Sequence, residues 1–586
     1  MRECRDSTQN GSFWDVAQTE HALTVIKAAS VATPRSYREA MASVHAYEWN
    51  LAVQRELKSM HDKQVWRVVP RTKQKPIGMR WVFKAKQDEN GDVIKFKGRL
   101  VAKGFAQRYG VDFFEVWAPV ARYTSIRALL AFAAKHDLTL RQLDADTAFL
   151  NAKLEETVYC TAPPGVSVPP GHVLLLQRSI YGTRQAARAW WLDIDSTFKN
   201  TLKMTPSVAD PCLYYRYAHG TMTFVALFVD DIIIASNDDK CIEEVKRGLE
   251  KHYSLTDQGE LRWCLGMRVT RDRNARTIYL DQERYVIDVL DRFDMKNCHP
   301  VSTPMCPNVK LSAEQCPTTA EEKRMLPSYH ALYRSIVGSV SYAALSTRPD
   351  ICTATIICAK YSHNPGKLHL VAAKRILRYL AGTARMCLTY GGDSMCGDSK
   401  EWAKHDPRGR GNLHMHGFTD SDWGGDSATR KSTSGYIFFW NGGPITWKSK
   451  MQSCIAQSTA EAEYIAASES SKECKWLRLI VGVFEHKGSE PSASQLAPTR
   501  IGCDNQAAIS IIDNPRCSAR TKHIELRYHL VRDYAQRGIV AFHYIPTAFN
   551  IADILTKPLN SVVLRRLCDT FLRELDPSVG AEVETK

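Results

Sequence analysis

At 586 residues the chain is too long for one hydrophobic core, and 44% apolar residues suffice for three or four domains. Its 78 Lys and Arg outnumber 63 Asp and Glu, a basic excess that favours a polyanionic partner. Seventeen cysteines without a Cys-x-x-Cys pair argue against a disulfide framework or zinc knuckle and for a reducing compartment. With no secretory core in MRECRDSTQNGSFWD and no apolar run near the roughly 20 residues that span a bilayer, the chain reads as soluble and intracellular.

Residues 1–36 show no periodicity and read as a disordered leader. An amphipathic helical pattern starts at Tyr37, with Trp49, Val53 and Leu57 on one face. Residues 67–108 hold twelve Lys or Arg against Asp88, Glu89 and Asp92. Within them, RWVFKAKQDENGDVIKFKGRLVAKGF alternates around Asn90-Gly91, as a β-hairpin does. Its cations (Lys84, Lys86, Lys95, Lys97, Arg99, Lys103) suit a nucleic-acid backbone or a triphosphate, or simply a solvated face.

A helix is expected over Ser125–Lys135, and then LTLRQLDADTAFLN brings Asp144 and Asp146 to the end of an apolar strand. In TFVALFVDDIIIA, Thr223 to Ala235, two β-branched runs flank Asp230 and Asp231 and predict paired strands with the carboxylates at the turn. Adjacent carboxylates beside a buried sheet repel, and a divalent cation with hard oxygen ligands relieves them; an Asp-Asp turn facing solvent is the alternative. Convergence of Asp144 with Asp230 and Asp231 would supply what two-metal nucleotidyl transfer needs.

These blocks carry a resemblance. RWVFKAK, KGRLVAKGFAQRYGVDFFEVWAPVAR, QLDADTAFLNAKLEETVYCTAPPG, LQRSIYGTRQAARAWW, LFVDDIIIAS, DQGELRWCLGMRV and YRSIVGSVSYAALSTRPDI occur in order within residues 37–560. Together they resemble the reverse transcriptase–RNase H region of copia-type (Pseudoviridae-like) LTR retrotransposon Pol polyproteins. The resemblance implies an α+β right-hand polymerase (fingers, palm, thumb) followed by an α/β RNase H-like domain. Asp144 matches the first palm aspartate, and Asp230 with Asp231 match the aspartate pair. Phe149 falls at the steric gate against a ribose 2′-OH, or is an ordinary core aromatic. Tyr181, Gly182, Arg184 and Gln185 match the segment beside the incoming nucleotide, and Lys97, Arg99 and Lys103 match triphosphate-contacting cations. Four positions depart from the family pattern: Phe228 for Tyr, Asp146 for Lys, Ala152 for Gly and Ala187 for Pro. No metal ligand is lost, but Asp146 adds a negative charge near the triphosphate path.

Residues 257–410 resemble the thumb and connection, with Arg348-Pro349-Asp350 and an amphipathic helix HLVAAKRILRYLAGT bearing Lys374, Arg375 and Arg378. Pro300 to Pro327 reads as a surface linker, and Gly391 to Gly411 as the last boundary. From His416 the pattern restarts, with Phe-Thr-Asp-Ser shaped like the first strand of an RNase H fold. Asp420 on that strand, Glu463 on a helix, Asp504 after the next strand and Asp553 near the start of the last helix follow the order that two-metal phosphodiester hydrolysis requires. Asp422 and Glu461 are close rivals for the first two positions, and His523 resembles a position that contacts the hybrid.

The expected organisation is a leader (1–36), fingers and palm (37–256), thumb and connection (257–410), an RNase H-like domain (411–560) and a C-terminal tail (561–586). The resemblance implies two Mg²⁺ per site, with Mn²⁺ as a substitute. It also implies an RNA template, a DNA primer, the RNA–DNA hybrid and deoxynucleoside triphosphates as partners, along with other polyprotein products. The implied location is cytoplasmic virus-like particles or the nucleus. A decayed or co-opted nucleic-acid-binding relic of the same fold is the alternative, and an intron- or telomere-type reverse transcriptase a more distant one.

Overall fold

The computed structural model describes residues 31–87, 93–391, 415–485, 497–514, 524 and 526–576. The expected leader, the Asn90-Gly91 turn, most of the Gly391–Gly411 boundary and His523 lie outside them. The chain forms two compact units, residues 1–119 with 147–196, and 120–146 with 197–586.

In the first unit the expected hairpin is present, Met79–Gln87 antiparallel to Val93–Ala102. Helix Ala46–Asp62 lies against it because Trp49, Ala52, Val53 and Met60 recur on one face and are all buried. Trp49 meets Phe83 and Phe96 edge to face, at centroid distances of 5.3 and 4.6 Å. A three-stranded sheet, in the order Trp66–Pro70, His172–Leu176, Tyr159–Cys160, completes the unit with helix Ala186–Ser196.

The second unit contains the central hairpin. Strands Thr221–Phe228 and Asp231–Ser236 pair antiparallel across a two-residue turn, with Val229 at φ 59°. A β-branched residue seldom adopts that conformation, so the turn is strained where the carboxylates sit. The six-stranded sheet runs Leu255–Glu260, Thr139–Ala145, Asp231–Ser236, Thr221–Phe228, Leu213–Ala218, Thr205–Pro206. Helix Tyr123–His136 is apolar along nearly its whole length and is buried from Thr124 to Ala134. Its Arg127 donates to three backbone carbonyls, Ile445, Leu345 and Ser346, at 2.8–2.9 Å, and lies 4.0 Å from the Trp447 ring centroid.

A second sheet joins Trp263–Cys264, Met267–Asp272, Thr277–Asp281, Met386–Gly391 and Leu572–Glu574. Residues assigned to the C-terminal tail therefore supply a helix, Ser561–Cys568, and an edge strand. The linker expected over 300–327 ends at Thr319. There a capping box with Glu322 starts helix Ala320–Ser346, which runs through Pro327. The third sheet has the order Gly443–Met451, Thr433–Trp440, His416–Asp422, Thr499–Cys503, Val540–Tyr544, its last two pairings parallel. Helix Thr459–Glu485 packs on the strands around His416–Asp422. No helix of the described residues is long and apolar enough to cross a membrane.

Candidate active sites

The first carboxylate group forms where three strands meet. Asp231 stands opposite Asp144 in the pairing of Asp231–Ser236 with Thr139–Ala145, and the Ala145 N–H donates to the Asp230 carbonyl at 2.9 Å. Cross-strand partners share a face of the sheet, so the Asp231 and Asp144 side chains emerge together. Gln142 Nε2 donates to Asp231 Oδ1 at 3.1 Å, and Gln258 Nε2 to Asp144 Oδ2 at 3.4 Å. Burial raises the Asp231 carboxyl above its ordinary range, against the Gln142 hydrogen bond and with help from Asp230 and Asp144. Asp230 lies in the turn itself, directly before the first residue of the returning strand. Among the described residues, groupings of three ligand atoms within 4.8 Å of one another form elsewhere, not at Asp144, Asp230 and Asp231. Asp146 is tied to the neighbouring strand, accepting from Ser254 Oγ at 3.0 Å and Thr256 Oγ1 at 3.1 Å.

The nucleotide-binding candidates all belong to the first unit. The Arg99 guanidinium lies 4.4 Å from the Tyr181 ring centroid, and Phe149 meets the same ring edge to face at 5.5 Å. Tyr181 accepts from the Ala102 N–H at 2.8 Å, which seats the loop on the strand end beside exposed Lys103. Half-buried Lys97 lies two residues before Arg99 on the same strand and hence on the same face. Gly182 takes φ 86°, and Arg184 Nε donates to the Gly104 carbonyl at 3.1 Å. Gln185 is 2% exposed and spent internally, donating to the Asp112 carbonyl at 2.9 Å and accepting from Gln107 Nε2 at 3.0 Å.

The second carboxylate group is tighter. Ligand oxygens of Asp420, Asp504 and Asp553 lie within 4.8 Å of one another, and Glu463 forms a like grouping with Cys503 and Asp504. Strand His416–Asp422 buries Asp420, and helix Thr459–Glu485 carries Glu463, whose Oε1 accepts from the Ser421 N–H at 3.1 Å. Asp504 follows strand Thr499–Cys503 and accepts from Thr547 Oγ1 at 2.6 Å. Asp553 sits in a 3-10 turn, Ile551–Leu555, rather than at the start of an α-helix. The Asn550 side chain caps that turn and donates to the Thr419 carbonyl at 3.0 Å, holding it beside Asp420. The rivals take other parts: Glu461 accepts from the Gln457 N–H at its own helix's start, and Asp422 belongs to neither grouping.

Burial raises the Asp420, Glu463 and Asp553 carboxyls, and each gains further from neighbouring carboxylates, Asp553 reaching about 8. Among the described residues, Glu463 Oε2 is buried without a hydrogen-bond partner. Hard oxygens, mutual repulsion and an orphaned carboxylate oxygen together fit a divalent cation. Two contributors had escaped the sequence reading: Thr556 Oγ1 donates to Asp420 Oδ2, and Lys557 Nζ lies 2.9 Å from Asp553 Oδ1. The i,i+4 spacing of Asp553 and Lys557 in FNIADILTK was the available signal.

Residues 63–307 match the family described as reverse transcriptase (RNA-dependent DNA polymerase). Over 528 residues the chain is 40% identical to the retrovirus-related Pol polyprotein from transposon TNT 1-94 of Nicotiana tabacum, covering 89% of this chain and 38% of that protein. It is 31% identical over 334 residues to the putative transposon Ty5-1 protein of Saccharomyces cerevisiae, covering 56% of this chain and 100% of that protein. The chain spans about a third to two fifths of the length of the curated Pol polyproteins it matches. Among solved structures, the foamy viral protease–reverse transcriptase in complex with RNA/DNA hybrid aligns with a TM-score of 0.43 and 12% identity, over 89% of this chain and 56% of that one.

Proposed function

The chain belongs to the copia-type retrotransposon Pol family and carries its reverse transcriptase domain, and on that premise we propose that it is an RNA-directed DNA polymerase joined to a ribonuclease H. The observation that supports the polymerase most directly is the register that faces Asp144 with Asp231, one residue from Asp230, inside the matched segment. In this reading the right-hand layout of fingers, palm and thumb precedes an RNase H-like domain built on the third sheet.

Asp144, Asp230 and Asp231 would hold the polymerase metals, and Asp420, Glu463, Asp504 and Asp553 those of the nuclease. Two divalent cations, Mg²⁺ or Mn²⁺, supply at each centre an activated oxygen nucleophile and charge neutralisation at the leaving oxygen. Gln142 and Gln258 orient the palm carboxylates, and Asn550 and the Ser421 amide orient the nuclease ones. Lys97, Arg99 and Lys103 are assigned to the triphosphate, and Phe149 and Tyr181 to the sugar and base. The partners are an RNA template, a DNA primer, their hybrid and deoxynucleoside triphosphates, held through phosphates with little sequence preference.

Primer extension on RNA and cleavage of a preformed hybrid test both halves. Asp230→Asn should abolish extension and spare cleavage, and Asp420→Asn should do the reverse. Hybrid binding by the wild type without extension in Mg²⁺ or Mn²⁺ would instead indicate a nucleic-acid-binding relic.

A further inference from the structure

Lys557 is the cation of the second carboxylate group. Its ammonium is 2.9 Å from Asp553 Oδ1 and 3.8 Å from Asp420 Oδ2. Those carboxylate side chains are 5% and 2% exposed, whereas the lysine side chain keeps 35%. Two buried carboxylates beside Asp504 repel and are costly to desolvate without a compensating charge, and here a lysine supplies it. The two carboxylates it occupies are among the three whose oxygens group closely enough to hold a divalent cation.

An ammonium 2.9 Å from a carboxylate oxygen and a dication bound to the same carboxylate would stand only a few ångströms apart, where repulsion is strong. A four-carbon stem with a third of its surface in water gives the head group somewhere to go. Asp420 does not depend on it wholly, because Thr556 Oγ1 also donates to Oδ2.

We propose that Lys557 is a resident counterion that competes with the divalent cation for Asp420 and Asp553. It stabilises the metal-free domain, lowers metal affinity, and withdraws toward solvent when metal binds. The proposal rests on the reading of Asp420 and Asp553 as metal ligands.

The test uses the full chain with Asp230→Asn and Asp231→Asn, which silence the polymerase centre, and titrates Mn²⁺ by calorimetry. Adding Lys557→Met or Lys557→Gln should tighten binding by about tenfold or more, since a nearby like charge is removed. The same changes should lower the melting temperature in EDTA. In the unsubstituted chain, acetylation of Lys557 read by mass spectrometry should rise on adding Mn²⁺, a readout independent of how the variants fold. If Asp420→Asn leaves the titration unchanged, no metal binds at this centre and the ligand reading falls with the proposal. If Asp420→Asn removes the binding but the Lys557 variants bind with equal or weaker affinity, or acetylation does not change, the counterion proposal alone is overturned.

Discussion

Arg348 closes a bidentate ion pair on Asp350, Nε to Oδ1 at 3.0 Å and Nη2 to Oδ2 at 2.7 Å, with neither side chain more than 2% exposed. Tyr379 OH donates to Asp350 Oδ2 at 2.8 Å, and Arg348 Nη1 to the Thr383 carbonyl at 2.8 Å. The pair therefore pins the start of helix Cys352–Ala359 to the end of helix Lys367–Gly382. Asp350→Ala should cost about 3–5 kcal/mol in urea unfolding, because the guanidinium stays buried without its counter-charge. Replacing both residues, with Arg348→Met and Asp350→Leu, should cost clearly less. An equal loss in the single and double variants would show that packing, not charge, is what matters there.

Gly182 holds the loop of nucleotide-binding candidates against the basic hairpin. At φ 86°, an added Cβ would stand 2.3 Å from the Ala102 carbonyl oxygen and 2.5 Å from Val101 Cγ1. Both the conformation and the clash oppose any side chain. Gly182→Ala should destabilise the first unit by about 2 kcal/mol or more and raise the KM for deoxynucleotides. A variant with wild-type melting and wild-type KM would mean that the loop relaxes without cost.

Gln185 separates positioning from contact. Matched to the nucleotide segment, it is buried, with its amide spent on Asp112 and Gln107. Gln185→Met keeps the volume but leaves the Asp112 carbonyl and a Gln107 donor without this partner, which should cost about 1–3 kcal/mol. Unfolding measurements should register that loss in the absence of any nucleotide. A stable variant with an altered nucleotide KM would instead assign the side chain to the ligand.

What the sequence made legible follows local physics. The Asp230–Asp231 hairpin stood out because β-branched runs on either side leave two carboxylates nowhere to hide, and the Trp49–Val53 face because its period is helical. Over Pro300 to Pro327 the prolines and polar residues read as a linker, yet Thr319 caps a helix there with Glu322. The helix runs through Pro327, and its buried residues begin only at Tyr333. The strand Leu572–Glu574 could not be foreseen, since its partner Met386–Gly391 lies far away in sequence. Nor could the ligand set be completed. Asp420, Glu463, Asp504 and Asp553 came from a family pattern, while Lys557 and Thr556 gain their roles only when the Ile551–Leu555 turn is laid beside the first strand of the third sheet.

Glu56 makes the first unit sensitive to pH. It points from helix Ala46–Asp62 into the core, 7% exposed, and its Oε1 accepts from the Leu100 N–H at 3.3 Å. Burial raises its carboxyl to about 7, against the Leu100 hydrogen bond and the charges of Arg99 and Lys97. A raised folded-state value means that the folded form holds the proton more tightly than the unfolded one. Stability is therefore lost as pH rises from the ordinary carboxyl range through about 7, and the loss levels off above it. Glu56→Gln keeps the acceptor and removes the ionisation. The stability of this variant relative to wild type should rise by about 2–3 kcal/mol between pH 5 and pH 8, the difference cancelling groups common to both chains. Parallel stability profiles for the two proteins would show that Glu56 stays ionised in the core, stabilised by Lys97 and Arg99.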